Sequence, residues 1–226
     1  MTPSTLRSEP ARSVIDRLHE EAKGDRRRFL GLAPQILLGI LREGSFSKGV
    51  TPGVLKECFI PLDRESGELM YLTARAIGAK TIVEFGTSFG ISTLYLAAAL
   101  RDGGGGLVVG TEIEASKHAR ALRHLEEAGL RDLVDVRLGD ALQTLRDLPD
   151  AVDLVLLDGW KDLYVPVLDL VQPRLRKGAV VVADNIFTFR KALRPYVEQM
   201  QSGRRGFDST TLSIGQGMEY SVYRGA

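Results

Sequence analysis

The chain has 226 residues, 44% of them hydrophobic and 26% charged, the balance of a folded domain and not of a disordered one. Thirty Lys and Arg stand against 29 Asp and Glu, and a net charge of +1 argues against a dedicated nucleic-acid or polyanion binder. A single cysteine, Cys58, excludes an internal disulfide and a cysteine-based zinc cluster, and points to a reducing, cytoplasmic setting.

Residues 1–50 read as helical and basic. Val14, Ile15 and Leu18 recur at helical spacing, as do Ile36, Leu37, Ile40 and Leu41. Arg26-Arg27-Arg28 before Phe29–Leu41 imitates a secretory leader. It starts late, contains Pro34 and lacks a small-residue cleavage site, so a buried or partner-facing helix is the better reading. No run of about 18 apolar residues is present to span a membrane. Gly44–Gly49 and Thr51-Pro52-Gly53 are loop signals. A helix is expected from Asp63 to Ile77, ended by Gly78.

A regular alternation follows. Short apolar strands are expected at Thr81–Phe85, Leu107–Gly110, Val134–Leu138, Val152–Leu157 and Ala179–Ala183. Helices are expected at Ile91–Leu100, Ala115–Ala128, Ala141–Leu148, Leu163–Leu175 and Phe189–Met200. Such alternation implies an α/β fold with a parallel sheet covered on both faces. Asp208–Ile214 and Met218–Tyr223, split by Gly215-Gln216-Gly217, read as a terminal antiparallel hairpin. The expected fold is therefore a doubly wound, seven-stranded, mostly parallel sheet. Ligands of such sheets sit beyond the carboxyl ends of the strands.

The first strand ends in Glu84-Phe85-Gly86-Thr87-Ser88-Phe89-Gly90. A dinucleotide fingerprint would be G-x-G-x-x-G, but Ser88 stands at the second glycine, where a side chain crowds a pyrophosphate. Alone, this is equally a tight strand-to-helix turn. Glu112, after the second strand, stands where a ribose hydroxyl is commonly held, and together they suggest an adenosine ligand without a diphosphate.

Asp158 closes the fourth strand, and Asp184 and Asn185 close the fifth. Two carboxylates and an amide oxygen suit Mg²⁺, Ca²⁺ or Mn²⁺. The plainer alternative is that both acids cap the helices that follow. Lys161 follows Asp158 by three residues. A lysine is ordinarily a poor base at neutral pH, and a neighbouring cation with desolvation is what makes it one. Its alternative is a surface pair with Asp162.

On the run Leu157-Asp158-Gly159-Trp160-Lys161-Asp162-Leu163-Tyr164, on Leu175-Arg176-Lys177-Gly178 leading to Ala183-Asp184-Asn185, and on the Glu84-x-Gly86 turn with Gly90 and Ser92, the chain resembles a known family. It is similar to the cation-dependent, S-adenosylmethionine-dependent O-methyltransferases of the catechol O-methyltransferase type, from about Phe59 to Arg224. The resemblance implies a Rossmann-like class I methyltransferase fold. By it, Asp158, Asp184 and Asn185 would hold Mg²⁺ (or Ca²⁺ or Mn²⁺) and Lys161 would be the general base. Glu84, Gly86 and Ser92 would surround the methionine part of the cofactor, and Asp158 would touch the cofactor as well as the metal. Glu112 would hold the ribose, with Ile113 and Trp160 against the adenine and Asp140 at its edge. Ile60-Pro61-Leu62 would approach the cofactor from its open side.

Two positions depart from the family. Its mammalian members carry His where Gly159 stands, and a glutamate before the last hairpin turn, where Thr210 and Thr211 offer no acid. The expected division is residues 1–58 as a helical lid, acceptor or dimer region, and residues 59–226 as the S-adenosylmethionine-binding domain. The expected partners are a small hydroxylated, aromatic acceptor and a second copy of the chain, with neither nucleic acid nor membrane. An amine or non-catechol acceptor without metal is the alternative enzyme, and a non-catalytic cofactor-binding protein the alternative class. Phe46, Phe59 and Trp160 are candidates to wall the acceptor. His19, His118 and His124 read as residues without a role, the last two on the surface. Cys58 reads as apolar filler, and Arg204-Arg205 as a solvated loop.

Overall fold

The computed structural model describes residues 3–23 and 62–225. The expected helix around Ile36–Leu41, the loops from Gly44 to Gly53, and Phe46, Cys58, Phe59, Ile60 and Pro61 lie outside the described residues. The helices are α1 (residues 11–23), α2 (Arg64–Ala76), α3 (Ile91–Asp102), α4 (Ala115–Glu127), α5 (Ala141–Thr144), α6 (Tyr164–Val171) and α7 (Arg190–Gln201). The strands are β1 (Thr81–Phe85), β2 (Leu107–Glu112), β3 (Val134–Leu138), β4 (Val152–Leu157), β5 (Leu175–Ala183), β6 (Phe207–Leu212) and β7 (Met218–Tyr223).

The strands form one sheet in the order β3-β2-β1-β4-β5-β7-β6. The five strands β1 to β5 are parallel, and β7 runs antiparallel to both β5 and β6. This is the doubly wound sheet with a terminal hairpin that the sequence predicts. Side chains alternate across the sheet, so Ile82, Val108, Leu154 and Val180 face one apolar core, and Val83, Val109, Val155 and Val181 face the other. Both cores are filled, which is why the strands are apolar nearly throughout.

On the first face α3 is buried along ten of its twelve residues, pressed between the sheet and α1 and α2. A helix in that position must be apolar all round. On α2, Asp63 accepts the amide of Ser66 and caps the helix. The helix α1 buries Val14, Ile15 and Leu18 and is tied across to α2 by Asp16 and Arg64, 2.6 Å apart.

Several boundaries differ from expectation. The strand β5 begins at Leu175, earlier than Ala179, because Gly178 takes a left-handed conformation (φ +80°) and the register against β4 shifts there. The helix expected to reach Leu175 ends at Val171, where the chain tightens into a turn containing Pro173. The helix after β3 is a single turn. His124 is buried, correcting its expected place on the surface, and its Nδ1 lies 2.9 Å from the Phe89 carbonyl. His19 also has a partner, the Tyr95 hydroxyl at 3.0 Å. Arg205 is no solvated loop residue, since its guanidinium bonds Gln172 and Gln199 and pairs with Asp169.

Candidate active site

The sheet register builds the site. Phe85 pairs with Leu157 and Leu157 with Ala183, so Gly86, Asp158 and Asp184 each stand one residue beyond a paired position. The Asp158 amide donates to Phe85 O (2.8 Å) and the Asp184 amide to Leu157 O (3.0 Å), which carries the ladder into the loops. β1 lies between β2 and β4, where the direction of strand addition reverses, and that is where the sheet opens a crevice.

Glu84 is fully buried beneath this edge. One carboxylate oxygen accepts from Thr87 Oγ1 (2.8 Å) and Thr93 Oγ1 (2.5 Å), while Oε1 has no protein partner. Burial raises its pKa, opposed by hydrogen bonds from Ser92, Thr93 and Thr87. A buried carboxylate oxygen without a donor is costly alone and suits a ligand that brings one. Gly86 turns the chain at φ +101°, and a Cβ there would lie 2.8 Å from the backbone of Asp158. Ser88, at the position of the missing glycine, adopts φ +49° and donates its amide to Glu112 Oε2 (2.7 Å). The other oxygen of Glu112 accepts from the Glu114 amide (2.8 Å). Glu112 is thus held rigidly at the end of β2, with spare acceptor capacity on both oxygens.

The second cluster lies at the ends of β4 and β5. Lys161 is 7% exposed, which removes the reading as a surface lysine. Its Nζ is 3.3 Å from Asp158 Oδ1 and 2.8 Å from the Tyr164 hydroxyl, which in turn donates to Asp184 O (3.1 Å). Asp184 is 3% exposed; Asn185 Nδ2 donates to its Oδ2 (3.1 Å) and Oδ1 has no partner. Asn185 itself sits at φ +66°, a conformation asparagine tolerates. Burial, then the charge of Asp158, pushes the Asp184 pKa up to about 7. Burial also raises that of Asp158, against the pull of Lys161. Neither acid caps a helix, so the plainer alternative for them is gone.

Two buried acids that suffer from burial, one of them with an orphan oxygen, fit a hard divalent cation. No group of three or more His, Cys, Asp or Glu placed to hold a metal occurs among the described residues, so the third protein donor would be the Asn185 amide.

The remaining expected residues are placed as follows. Leu62 is buried in the first core, Ile113 is 48% exposed beside Glu112, and Trp160 is half-buried against the second core. Asp140 is exposed and accepts the Leu142 amide (2.9 Å), so it caps α5 whatever else it does. Three residues escape the sequence reading. Leu138, paired with Glu112 across β2 and β3, is 50% exposed. Asp63 brings a third negative charge that raises both Asp158 and Asp184. Phe187, 51% exposed, is held through its amide to Gln216 O (2.9 Å). Only the apolar type of Leu138 and Phe187 at strand ends could have flagged them; for Asp63 the sequence carries no signal beyond a helix cap.

Residues 83–186 match the family described as a methyltransferase domain. With that match, a sheet carrying a glycine turn and an acid at the ends of its first two strands defines a methyltransferase. The catechol O-methyltransferase of Mycobacterium tuberculosis is 38% identical over 129 residues, 56% of this chain and 57% of that protein. The chain therefore spans little more than half the length of that relative. The O-methyltransferase TomG of Streptomyces achromogenes, solved in complex with S-adenosylmethionine, is 30% identical with a TM-score of 0.66, covering 73% of this chain and 82% of that one. An O-methyltransferase from Bacillus cereus, solved with S-adenosylhomocysteine, is 25% identical with a TM-score of 0.66, covering 72% and 82%. The chain belongs to the S-adenosylmethionine-dependent O-methyltransferase family.

Proposed function

We propose that this protein methylates a hydroxyl of a small aromatic acceptor bearing two adjacent oxygens, using S-adenosylmethionine and a divalent cation, Mg²⁺ ahead of Ca²⁺ or Mn²⁺. The observation that carries the reading is the set of buried Lys161 and Asp184 with half-buried Asp158 and Asn185 beside the Gly86 turn. The names of the relatives support it: besides catechol O-methyltransferases they include two probable caffeoyl-CoA O-methyltransferases of Dictyostelium discoideum, each 27% identical over 129 residues.

When bound, S-adenosylmethionine supplies a methyl group on a sulfonium and the cation supplies positive charge that acidifies a neighbouring hydroxyl. Asp158, Asp184 and Asn185 hold that cation. Lys161 takes the proton of the acceptor hydroxyl. Glu84, Gly86 and Ser92 receive the methionine part of the cofactor, and the free oxygen of Glu84 accepts a donor there. Asp158 touches the cofactor as well as the metal. Glu112 accepts the ribose hydroxyls. Ile113 and Trp160 hold the adenine from its two sides, Asp140 meets its edge, and Leu62 closes the remaining side. Holding both substrates in reacting order accounts for much of the rate. Residues 59–226 constitute the cofactor-binding domain, and residues 1–58 the lid or the contact with a second copy, in a cytoplasmic homodimer.

A second reading, another acceptor without metal, is favoured by one observation. The residues around Thr210 and Thr211 offer no acid where the resemblance expects one to grip the acceptor, and Glu219, paired with Thr211 across the hairpin, is fully buried with its oxygens taken by Ser209, Thr211 and Gln201. Methyl transfer from labelled S-adenosylmethionine to a panel of vicinal diphenols, with Mg²⁺ and with chelator, separates the two. Turnover removed by chelator is expected. Turnover that survives chelation favours the second reading, and absence of cofactor binding contradicts both.

A further inference from the structure

Tyr164 opens α6, three residues after Lys161, and is 1% exposed. Its ring meets those of Phe85 and Tyr196 edge-on, with centroids 6.3 and 5.7 Å away, and this fixes where the hydroxyl points. That hydroxyl has two partners, Asp184 O at 3.1 Å and Lys161 Nζ at 2.8 Å. A backbone carbonyl can only accept, so the one hydroxyl proton is committed to Asp184. Toward Lys161 the tyrosine oxygen can only be an acceptor. Asp158 Oδ1, 3.3 Å from the same nitrogen, is an acceptor as well.

We propose that Tyr164 is a positioning residue that aims the lone pair of Lys161. The inference rests on the reading of Lys161 as the base. A lysine nitrogen has three directions besides its carbon. When Lys161 acts as a base two are N–H bonds, and Tyr164 and Asp158 each claim one. The lone pair is left the third direction, from which the acceptor hydroxyl would have to approach. When the acceptor O–H bond breaks and a new N–H bond forms there, the products are an ammonium and an oxyanion, and charge balances. Without the tyrosine oxygen one N–H has no fixed partner, and the amine rotates about its Cε–Nζ bond. The ring packing and the bond to Asp184 are structural, and neither needs the oxygen lone pair, so the two roles separate.

The test compares Tyr164→Phe, replacement of Tyr164 by 4-aminophenylalanine, and Lys161→Met. An aniline nitrogen still donates to Asp184 but is a poor acceptor, so it keeps that bond and replaces the acceptor facing Lys161 with an N–H donor. Both Tyr164 variants should lose roughly tenfold to a hundredfold in kcat, a part of what a general base contributes. Acceptor KM and the affinity for S-adenosylhomocysteine by calorimetry should stay within about twofold. In the Lys161→Met background Tyr164→Phe should cost nothing further, since the residue it serves is gone. If Tyr164→Phe does not fold, the 4-aminophenylalanine protein decides. Full kcat in that protein, with Lys161→Met inactive, overturns the positioning role and leaves the base reading standing. Loss of S-adenosylhomocysteine binding in that protein makes Tyr164 a packing residue and overturns it too. Full kcat in Lys161→Met removes the base reading and this inference together.

Discussion

Gly86 and Asp158 are in backbone contact, and the contact joins the two halves of the site. A Cβ on Gly86 would stand 2.8 Å from both the carbonyl carbon and the carbonyl oxygen of Asp158, in a backbone conformation (φ +101°) that side chains rarely adopt. The cofactor turn after β1 therefore seats directly on the strand end that carries the first acid. Gly86→Ala should lower stability by about 1–3 kcal/mol and weaken S-adenosylhomocysteine binding at least about tenfold, some 1.4 kcal/mol. Thermal unfolding and calorimetry check the two effects separately.

A second close approach accounts for the glycine at position 159. A Cβ on Gly159 would lie 2.5 Å from the Phe85 ring. Phe85 occupies the space that a side chain at 159 would use. Gly159→Ala should destabilise by about 1–3 kcal/mol through overpacking, and Phe85→Leu in the same chain should recover part of the loss. Urea unfolding of the single and double variants measures it; a Gly159→Ala protein as stable as the parent contradicts the assignment.

The raised pKa of Asp184 makes stability depend on pH in a definite direction. Between the ordinary carboxylate range and about 7, folded Asp184 keeps a proton that the unfolded chain has released. The folded state then binds more protons, so stability falls as pH rises. The contribution is fully present below the ordinary carboxylate value and is lost as pH passes about 7. Metal-free protein should melt at a higher temperature near pH 5 than near pH 8, and Asp184→Asn should flatten that difference. Mg²⁺ should stabilise more at the higher pH, where it need not displace a proton.

Asp63 tests whether negative charge from outside the two strand ends helps to hold a cation. Its charge reaches both Asp158 and Asp184. Asparagine is as good a helix cap as aspartate, so Asp63→Asn should leave α2 intact. It should reduce Mg²⁺ affinity severalfold with little change in melting temperature. Unaltered Mg²⁺ affinity by calorimetry would show that the charge of Asp63 is screened from the site.

The alternation of apolar strands with helices was enough to read the sheet, because strands buried on both faces leave an unbroken apolar run. The acids were legible because each ends such a run and the register places Asp158 and Asp184 side by side. Helix and strand limits were less legible where backbone geometry decides them, as at Gly178, whose left-handed conformation moves the start of β5 back to Leu175. His124 illustrates a different limit. It stands on a helix rich in charged residues, yet it is buried and its ring meets a carbonyl 35 residues away. Asp63 was out of reach for the same reason: which charges it influences is set by chain crossing, not by spacing.

The most direct test of the account is the rate of methyl transfer to a vicinal diphenol as free Mg²⁺ is titrated, in the parent protein and in Asp184→Ala. The parent should show a saturable dependence on Mg²⁺, and Asp184→Ala should stay at background throughout while still binding S-adenosylhomocysteine. Equal turnover by both proteins with the metal chelated away would contradict the account.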